Sequence, residues 1–209
     1  MADRDLREGT PWPPICFATG TQIATSKGTR AIESLRPGDK VITRDNGLQE
    51  IAWVGHREFS SMDLDRNEDL RPILIKAGAL GPNAPETDIL VSPNHRMLIT
   101  NDITALVFDE RETLVAAKHL LGKKGVKRVN IGGVGYHHVL FEHHEVILGN
   151  GAWSESFQPG DYSLGTLETA QKDEIFKIFP ELRERETLGM FVSARRTLNK
   201  REAVFLRTH

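Results

Sequence analysis

The chain has one cysteine, Cys16, and eight histidines. A thiol is the best nucleophile among the side chains, and an imidazole is the usual acid or base near neutral pH. Cys16 sits in "PPICFATGTQIAT", two prolines before a strand-like run. A lone cysteine with no context is most often a small buried apolar residue. His95 lies in "SPNHRML", where a turn-flanking surface histidine is the ordinary reading. Four more histidines, His137, His138, His143 and His144, crowd "YHHVLFEHHEVILGNG". Read as one extended strand, alternation puts His138 and His144 on one face and His137 and His143 on the other. Such a cluster invites zinc. It has no cysteine partner and no familiar ligand spacing, so neither a metal nor another cofactor is expected.

These residues need rigid elements to hold them. The 209 residues allow one ordinary domain plus an appendage. From residue 16 to about 157 the pattern is of short strands broken by turns. "RPGD" reads as a type II turn with Gly38 third, and "DNG" between two β-like runs reads as a hairpin. Further strands are expected in "RPILIKAGAL", "TDILVS", "RMLIT", "ALVF", "ETLVAAKHL" and "VKRVNI", with a helical turn allowed at "HLL". The expectation is an all-β body, barrel-like or sandwich-like. "TRAIESLRPGDKVI" (29–42) and "TLVAAKHLLGKKGVKRV" (113–129) share an order of strand, leucine-ended segment, Gly/Lys turn and strand, a faint internal repeat. After about 160 the texture changes. "LETAQKDEIFKIFPELRERETL" suits an amphipathic helix, and "FVSARRTLNKREAVFL" suits either a helix or a closing strand.

Formal net charge is −2, so no basic field favours nucleic acid or an acidic membrane. No apolar run reaches the roughly 20 residues of a membrane helix. The charged start "MADRDLREGTPWPP" is not a secretory signal. A cytoplasmic protein is expected, or one exported without a cleaved N-terminal signal.

Three stretches together resemble the Hint family, the module of inteins and of Hedgehog autoprocessing domains. The first is "CFATGTQIAT", with Cys16 leading and Gly20-Thr21 opening a strand. The second is "SPNH", with Ser92 and His95 at the family's Thr and His positions. The third is "YHHVLFEHHEVILGNG", where His138 falls at an aspartate position, His144 at a histidine position, and Asn150-Gly151 match the end. The resemblance implies a compact, disk-like fold with pseudo-twofold related halves, which would account for the repeat, followed by a partly helical tail. It divides the chain into a leader (1–15), a Hint domain (16–157) and a C-terminal extension (158–209).

It also implies a reaction. The Cys16 thiol would attack the Ile15 carbonyl, shifting the acyl group from nitrogen to sulfur. His95 would supply a proton to the leaving amine near neutral pH. Ser92 would bond the scissile group, and His138 would assist the thiol. The substrate is then the chain's own N-terminal segment, and water or a small nucleophile resolves the thioester. "GAWSESF" carries Ser154 and Glu155 where a splicing intein has His-Asn, so full splicing is not expected. Nor does the charged tail offer an apolar stretch for a sterol. Two other readings remain: a Hint fold without turnover that serves as a binding or scaffolding module, and a Cys–His enzyme acting on an external acyl group.

Overall fold

A computed structural model describes residues 15–100, 102–158 and 193–206, with isolated positions 169, 172, 173 and 176. Turn chemistry lays out the first hairpins. β1 (Phe17–Ala18) leads into β2 (Gln22–Thr25), which pairs with β3 (Gly28–Ala31) across Ser26-Lys27. The type II turn is present: Asp39 N–H donates to Arg36 O, and Gly38 takes φ +89°, a value that favours glycine. β4 (Lys40–Thr43) and β5 (Gly47–Glu50) form the hairpin expected around "DNG". There follow β6 (Trp53–Ser60), α1 (Ser61–Arg66), β7 (Ile73–Ile75), β8 (Ile89–Val91), β9 (Arg96–Thr100), α2 (Asp102–Phe108), β10 (Glu112–Ala116), β11 (Val126–Arg128), β12 (Gly133–Leu140), β13 (Val146–Gly149), β14 (Ala152–Glu155) and β15 (Thr197–Leu198).

Two sheets result. One has the order β11-β7-β8-β1-β12-β6. The other runs β15-β10-β9-β14-β13-β2-β4-β5, with β3 paired to β2. The fold is all-β, and among the described residues the strands pair antiparallel except β10 with β15. Where "ALVF" reads as a strand, the structure has α2. Periodicity cannot separate so short an apolar run from a helical turn. The third histidine-bearing stretch is likewise not one strand, since β12 ends at Leu140 and β13 starts at Val146.

The faint repeat is structural. β3 and β10 each run into a 3-10 turn, Ile32–Ser34 and Ala117–Leu120. The preceding residues, Ala31 and Ala116, share a backbone conformation (φ −62°, ψ 136° and φ −60°, ψ 133°). Ile32 N–H donates to Thr21 O just as Ala117 N–H donates to His95 O. Thr21 N–H reaches back to Ala18 O, and His95 N–H to Ser92 O. The hairpin β13–β14 lies between the halves, β13 pairing with β2 and β14 with β9. β1 and β8 meet at the junction in antiparallel register, Phe17 opposite Val91.

The main core gathers Phe17, Ile23, Val91, Met97 and Ile147 from both halves. A smaller core on the other face of β1 holds Cys16, Ala18, Phe59, Leu64 and Tyr136. α1 closes it with Leu64, and a reciprocal Ser60–Asp63 capping box starts that helix. The described part of the tail belongs to the body. β15 extends the larger sheet, and Leu198, Ala203 and Leu206 join the main core. The helix expected within 167–188 lies largely outside the described residues; positions 169, 172, 173 and 176 of it are helical.

Asn150 is bound into the turn between β13 and β14 at φ +48°. Its Oδ1 accepts from Gln22 N–H at 2.7 Å, and its Nδ2 donates to Asp88 O at 2.8 Å. Asn150→Ala loses both bonds and the left-handed tolerance of asparagine, so a loss of about 2–3 kcal/mol is expected, read from the urea midpoint.

Candidate active site

Cys16 enters β1, an interior strand with β8 on one side and β12 on the other. Antiparallel register sets its neighbours. Phe17 faces His137 across β1–β12, so the next step along both strands brings Cys16 to His138. Cys16 Sγ lies 3.4 Å from His138 Nδ1 and 3.3 Å from Nε2. Such near-equality puts the sulfur close to the plane bisecting the two nitrogens, off either lone-pair axis. The same ring reaches the bond in question, with His138 Nδ1 2.8 Å from Ile15 O. A carbonyl oxygen only accepts, so Nδ1 carries the hydrogen and a neutral ring keeps its lone pair on Nε2.

Ser92 brackets Cys16 from the other strand. Cys16 N–H donates to Ser92 Oγ at 3.0 Å, and Ser92 N–H donates to Cys16 O at 3.0 Å. The turn Ser92–His95 is closed by its own backbone bond, which explains the two-residue spacing between the side chains. His95 is buried with its ring edge-on to Phe17, centroids 4.3 Å apart. Neither of its ring nitrogens has a hydrogen-bond partner among the described residues.

His138 is also gripped by aromatic rings. Phe157 meets it edge-on at 5.1 Å and Trp53 lies near-parallel at 6.2 Å. Gly55, opposite His138 on β6, makes room for this: a Cβ there would sit 2.1 Å from the Trp53 ring. Sequence reasoning missed Trp53 and Phe157. The available signal was an isolated glycine inside a strand, which marks a close approach.

Four of the expected residues therefore come together, with Cys16, Ser92 and His138 in contact around the Ile15–Cys16 bond and His95 on the same turn as Ser92. His144 does not join them. Alternation from His138 fails because β12 and β13 are separate strands. His144 Nδ1 instead accepts from Ala194 N–H at 3.0 Å, and its Nε2 lies 3.4 Å from Glu155 Oε2. His137 faces away from Cys16, bonded to Thr19 Oγ1 and stacked on His56. Among the described residues no group of three or more His, Cys, Asp or Glu is arranged to hold a metal ion. No helix among them is long and apolar enough to cross a membrane.

Burial dominates the electrostatics. It pushes the Cys16 thiol well above its ordinary value, opposed only in part by a hydrogen bond with Ser92. It pushes His138 down to about 4, against the Ile15 bond, which favours protonation. His95 falls to about 3, by burial first and then by the charges of His138 and Arg96. At neutral pH the resting site is thus thiol plus neutral imidazoles, not a thiolate–imidazolium pair. His95 is not the ready acid that its ordinary value near neutrality implies.

The comparisons agree with this architecture. A family model described as the Hint domain matches residues 15–161. The chain belongs to the Hint domain family. Membership points to autoprocessing or splicing-type chemistry. Among solved structures, the chain is similar to a bacterial intein-like domain from Clostridium thermocellum, at 18% identity over 68% of this chain and 97% of that one, TM-score 0.43. It is similar to a splice-inactive variant of the AceL NrdHF class 3 split intein, at 15% identity over 68% and 97%, TM-score 0.43. A DnaB intein from Synechocystis sp. PCC 6803 is 12% identical over 68% and 97%, TM-score 0.41. No curated protein matches the chain.

With half-buried His137 lowered in the same direction, the two histidines that fall furthest, His95 and His138, make the Hint fold acid-sensitive. Unfolding returns both to about 6.5, so the stability they allow is full above that pH. It is lost as pH falls toward their folded values of about 4 and about 3. Urea unfolding between about pH 4 and 7 should show a slope approaching two protons, and His95→Gln should remove about half of it.

Proposed function

We propose that this Hint domain carries out an N-to-S acyl shift at Ile15–Cys16, leading to N-terminal cleavage or acyl transfer without full splicing. The observation that carries this reading is the double contact of one ring, His138, with Cys16 Sγ and with Ile15 O.

A small movement of the thiol toward Nε2 lets the ring take the S–H proton. Sulfur then bonds to the Ile15 carbonyl carbon. As negative charge builds on Ile15 O, the ring that donates to it has become an imidazolium, so the new charges form as a hydrogen-bonded pair. The Ile15–Cys16 C–N bond then breaks, and the departing nitrogen must gain one proton. Ser92 Oγ already accepts from the N–H of that nitrogen, which supports Ser92 as the hydroxyl that hands the proton on from His138. His95, neutral and on the same turn, lines this step rather than starting as its acid. Water or a small nucleophile then attacks the thioester carbonyl, the C–S bond breaks, and the thiol regains a proton.

Among the described residues, those at the end of the Hint domain are engaged in ways that do not serve the C-terminal half of splicing. Asn150 is held at both ends of its amide, and the Glu155 carboxylate is taken by Arg96. Ser154 Oγ is buried without a partner among the described residues. The reading as a non-catalytic module draws on one observation, the fully buried, high-pKa thiol lying off the nitrogen axis. Complete burial of Cys16 counts against an external acyl substrate.

A fusion with a partner protein ahead of Met1 tests the proposal by intact mass. Partner release after Ile15, hastened by hydroxylamine and abolished by Cys16→Ala, is expected; a fusion still intact after days sinks the reading and leaves the non-catalytic module. His138→Gln keeps an amide donor near Ile15 O but removes the base, so release should slow by about 100-fold or more. The rate should stay level from about pH 6 to 8 and fall as pH drops toward about 4, because His138 must be neutral to accept the proton.

A further inference from the structure

The extension after the Hint domain is tied to the candidate site through His144 and Glu155. Glu155 is wholly buried. Its Oε1 accepts from Arg96 N–H at 2.9 Å, and its Oε2 from Arg96 Nη1 at 3.0 Å. The Arg96 N–H belongs to the peptide that follows His95. The carbonyl of that same peptide accepts from Ala117 N–H at 2.9 Å. The His95–Arg96 peptide plane is therefore held from both sides, by a carboxylate on its N–H and a backbone donor on its C=O. A charge-assisted bond is the stronger kind of hold. The ladder between β9 and β14 pairs Ser154 with Met97, so at the next position the Glu155 side chain replaces the backbone acceptor.

What holds Glu155 leads back to the tail. His144 Nδ1 accepts from Ala194 N–H, so the neutral ring carries its hydrogen on Nε2, 3.4 Å from Glu155 Oε2 and off the line of a full hydrogen bond. The His144 side chain is fully buried, so the Ala194 bond decides which nitrogen faces the carboxylate. Ala194 is itself anchored. Arg195 binds Glu112 at 2.7 Å and Asp45 at 2.6 Å, and β15 follows at once.

The geometry points to a positioning relay in which the Ala194 N–H of the C-terminal extension sets the His144 tautomer, His144 and Arg96 set the Glu155 carboxylate, and Glu155 sets the His95 peptide. His144 and Glu155 are positioning residues, not catalytic ones. The inference rests on the autoprocessing reading only for its effect on rate; its structural half stands apart.

Ala194→Pro in the full chain removes the donor and leaves the Arg195 anchors, whereas Ala194→Gly keeps the N–H. Glu155→Gln preserves volume and one acceptor but turns an NH2 toward Arg96 Nη1 and His144 Nε2–H. Histidine ring 15N spectra are recorded on Cys16→Ala protein, where the bond stays whole, and release rates on the Cys16 fusion. In the parent, His144 should show a bare Nδ1 and a protonated Nε2. Ala194→Pro should change that signature and shift the His95 ring signals, with Ala194→Gly unchanged. Glu155→Gln should shift the His95 signals too. Release should slow about ten-fold with proline and with Glu155→Gln, the scale of a slightly misplaced reacting group. His95 signals that stay in place in both variants overturn the relay. Moved signals with unchanged release overturn its bearing on the chemistry. If the parent fusion never releases its partner, the proposed function fails, and the relay is decided by the His95 signals alone.

Discussion

The hydrogen bond from His138 Nδ1 to the Ile15 carbonyl fixes what every other group at the site can be. It uses up one nitrogen as a donor, so in the neutral ring the other is left as an acceptor. It also aims the ring at the carbonyl of the residue before Cys16. The surroundings protect this arrangement. Trp53 and Phe157 exclude water from the ring, and Gly55 lets the indole come down close enough to do so. Dry surroundings then strengthen the bond and keep the imidazole neutral at the same time. A carboxylate in place of His138 could serve as a base but would repel charge building on the carbonyl oxygen, whereas a histidine accepts one proton and donates another.

The fold supplies this geometry through its internal duplication. Each half makes the same move, a short strand, a closed four-residue turn, two further strands and a 3-10 turn bonded back to the four-residue turn. Where the first half has Ala18 to Thr21, the second has Ser92 to His95. Because β1 and β8 meet in antiparallel register at Phe17 and Val91, the residue entering one strand faces the residue leaving the other. Cys16 and Ser92 become partners from positions 76 residues apart. Such a contact needs both halves folded and docked, so the candidate site is assembled by the long-range topology and not by any local motif.

That division explains how far the sequence could be read. Turns built on local chemistry were legible: Pro37-Gly38 and Asn46-Gly47 stand where they were expected, and so does the helical turn at "HLL". Cys16, Ser92, His95 and His138 were legible as a set because their order resembles a family, while only the pairing of β1 with β8 and β12 shows why they meet. His144 was misplaced because alternation was carried through a break that nothing local announces; residues 141–145 contain no glycine or proline. α2 was read as a strand for a similar reason, its apolar run being too short for period to decide. Glu155 was visible only as a missing asparagine. Its grip on Arg96 depends on how β14 meets β9, and no spacing within either strand encodes it.

Taken together, the buried polar groups divide by what they are free to do. Both ends of the Asn150 amide, both Glu155 oxygens and His144 Nδ1 are hydrogen-bonded, and each of these bonds holds a turn or a strand end. Cys16 and His138 touch each other without a fully aligned bond between sulfur and nitrogen, and His95 has no partner among the described residues. An unaligned, unsatisfied polar set in a dry core costs free energy that a purely structural site would avoid. The first set lies about the β13–β14 hairpin, where Ser154 Oγ is also buried without a partner among the described residues, and the second set surrounds Ile15–Cys16. Among the described residues, a thiol, an imidazole and a peptide carbonyl meet at Ile15–Cys16, and that is the end which the proposed N-terminal chemistry would use.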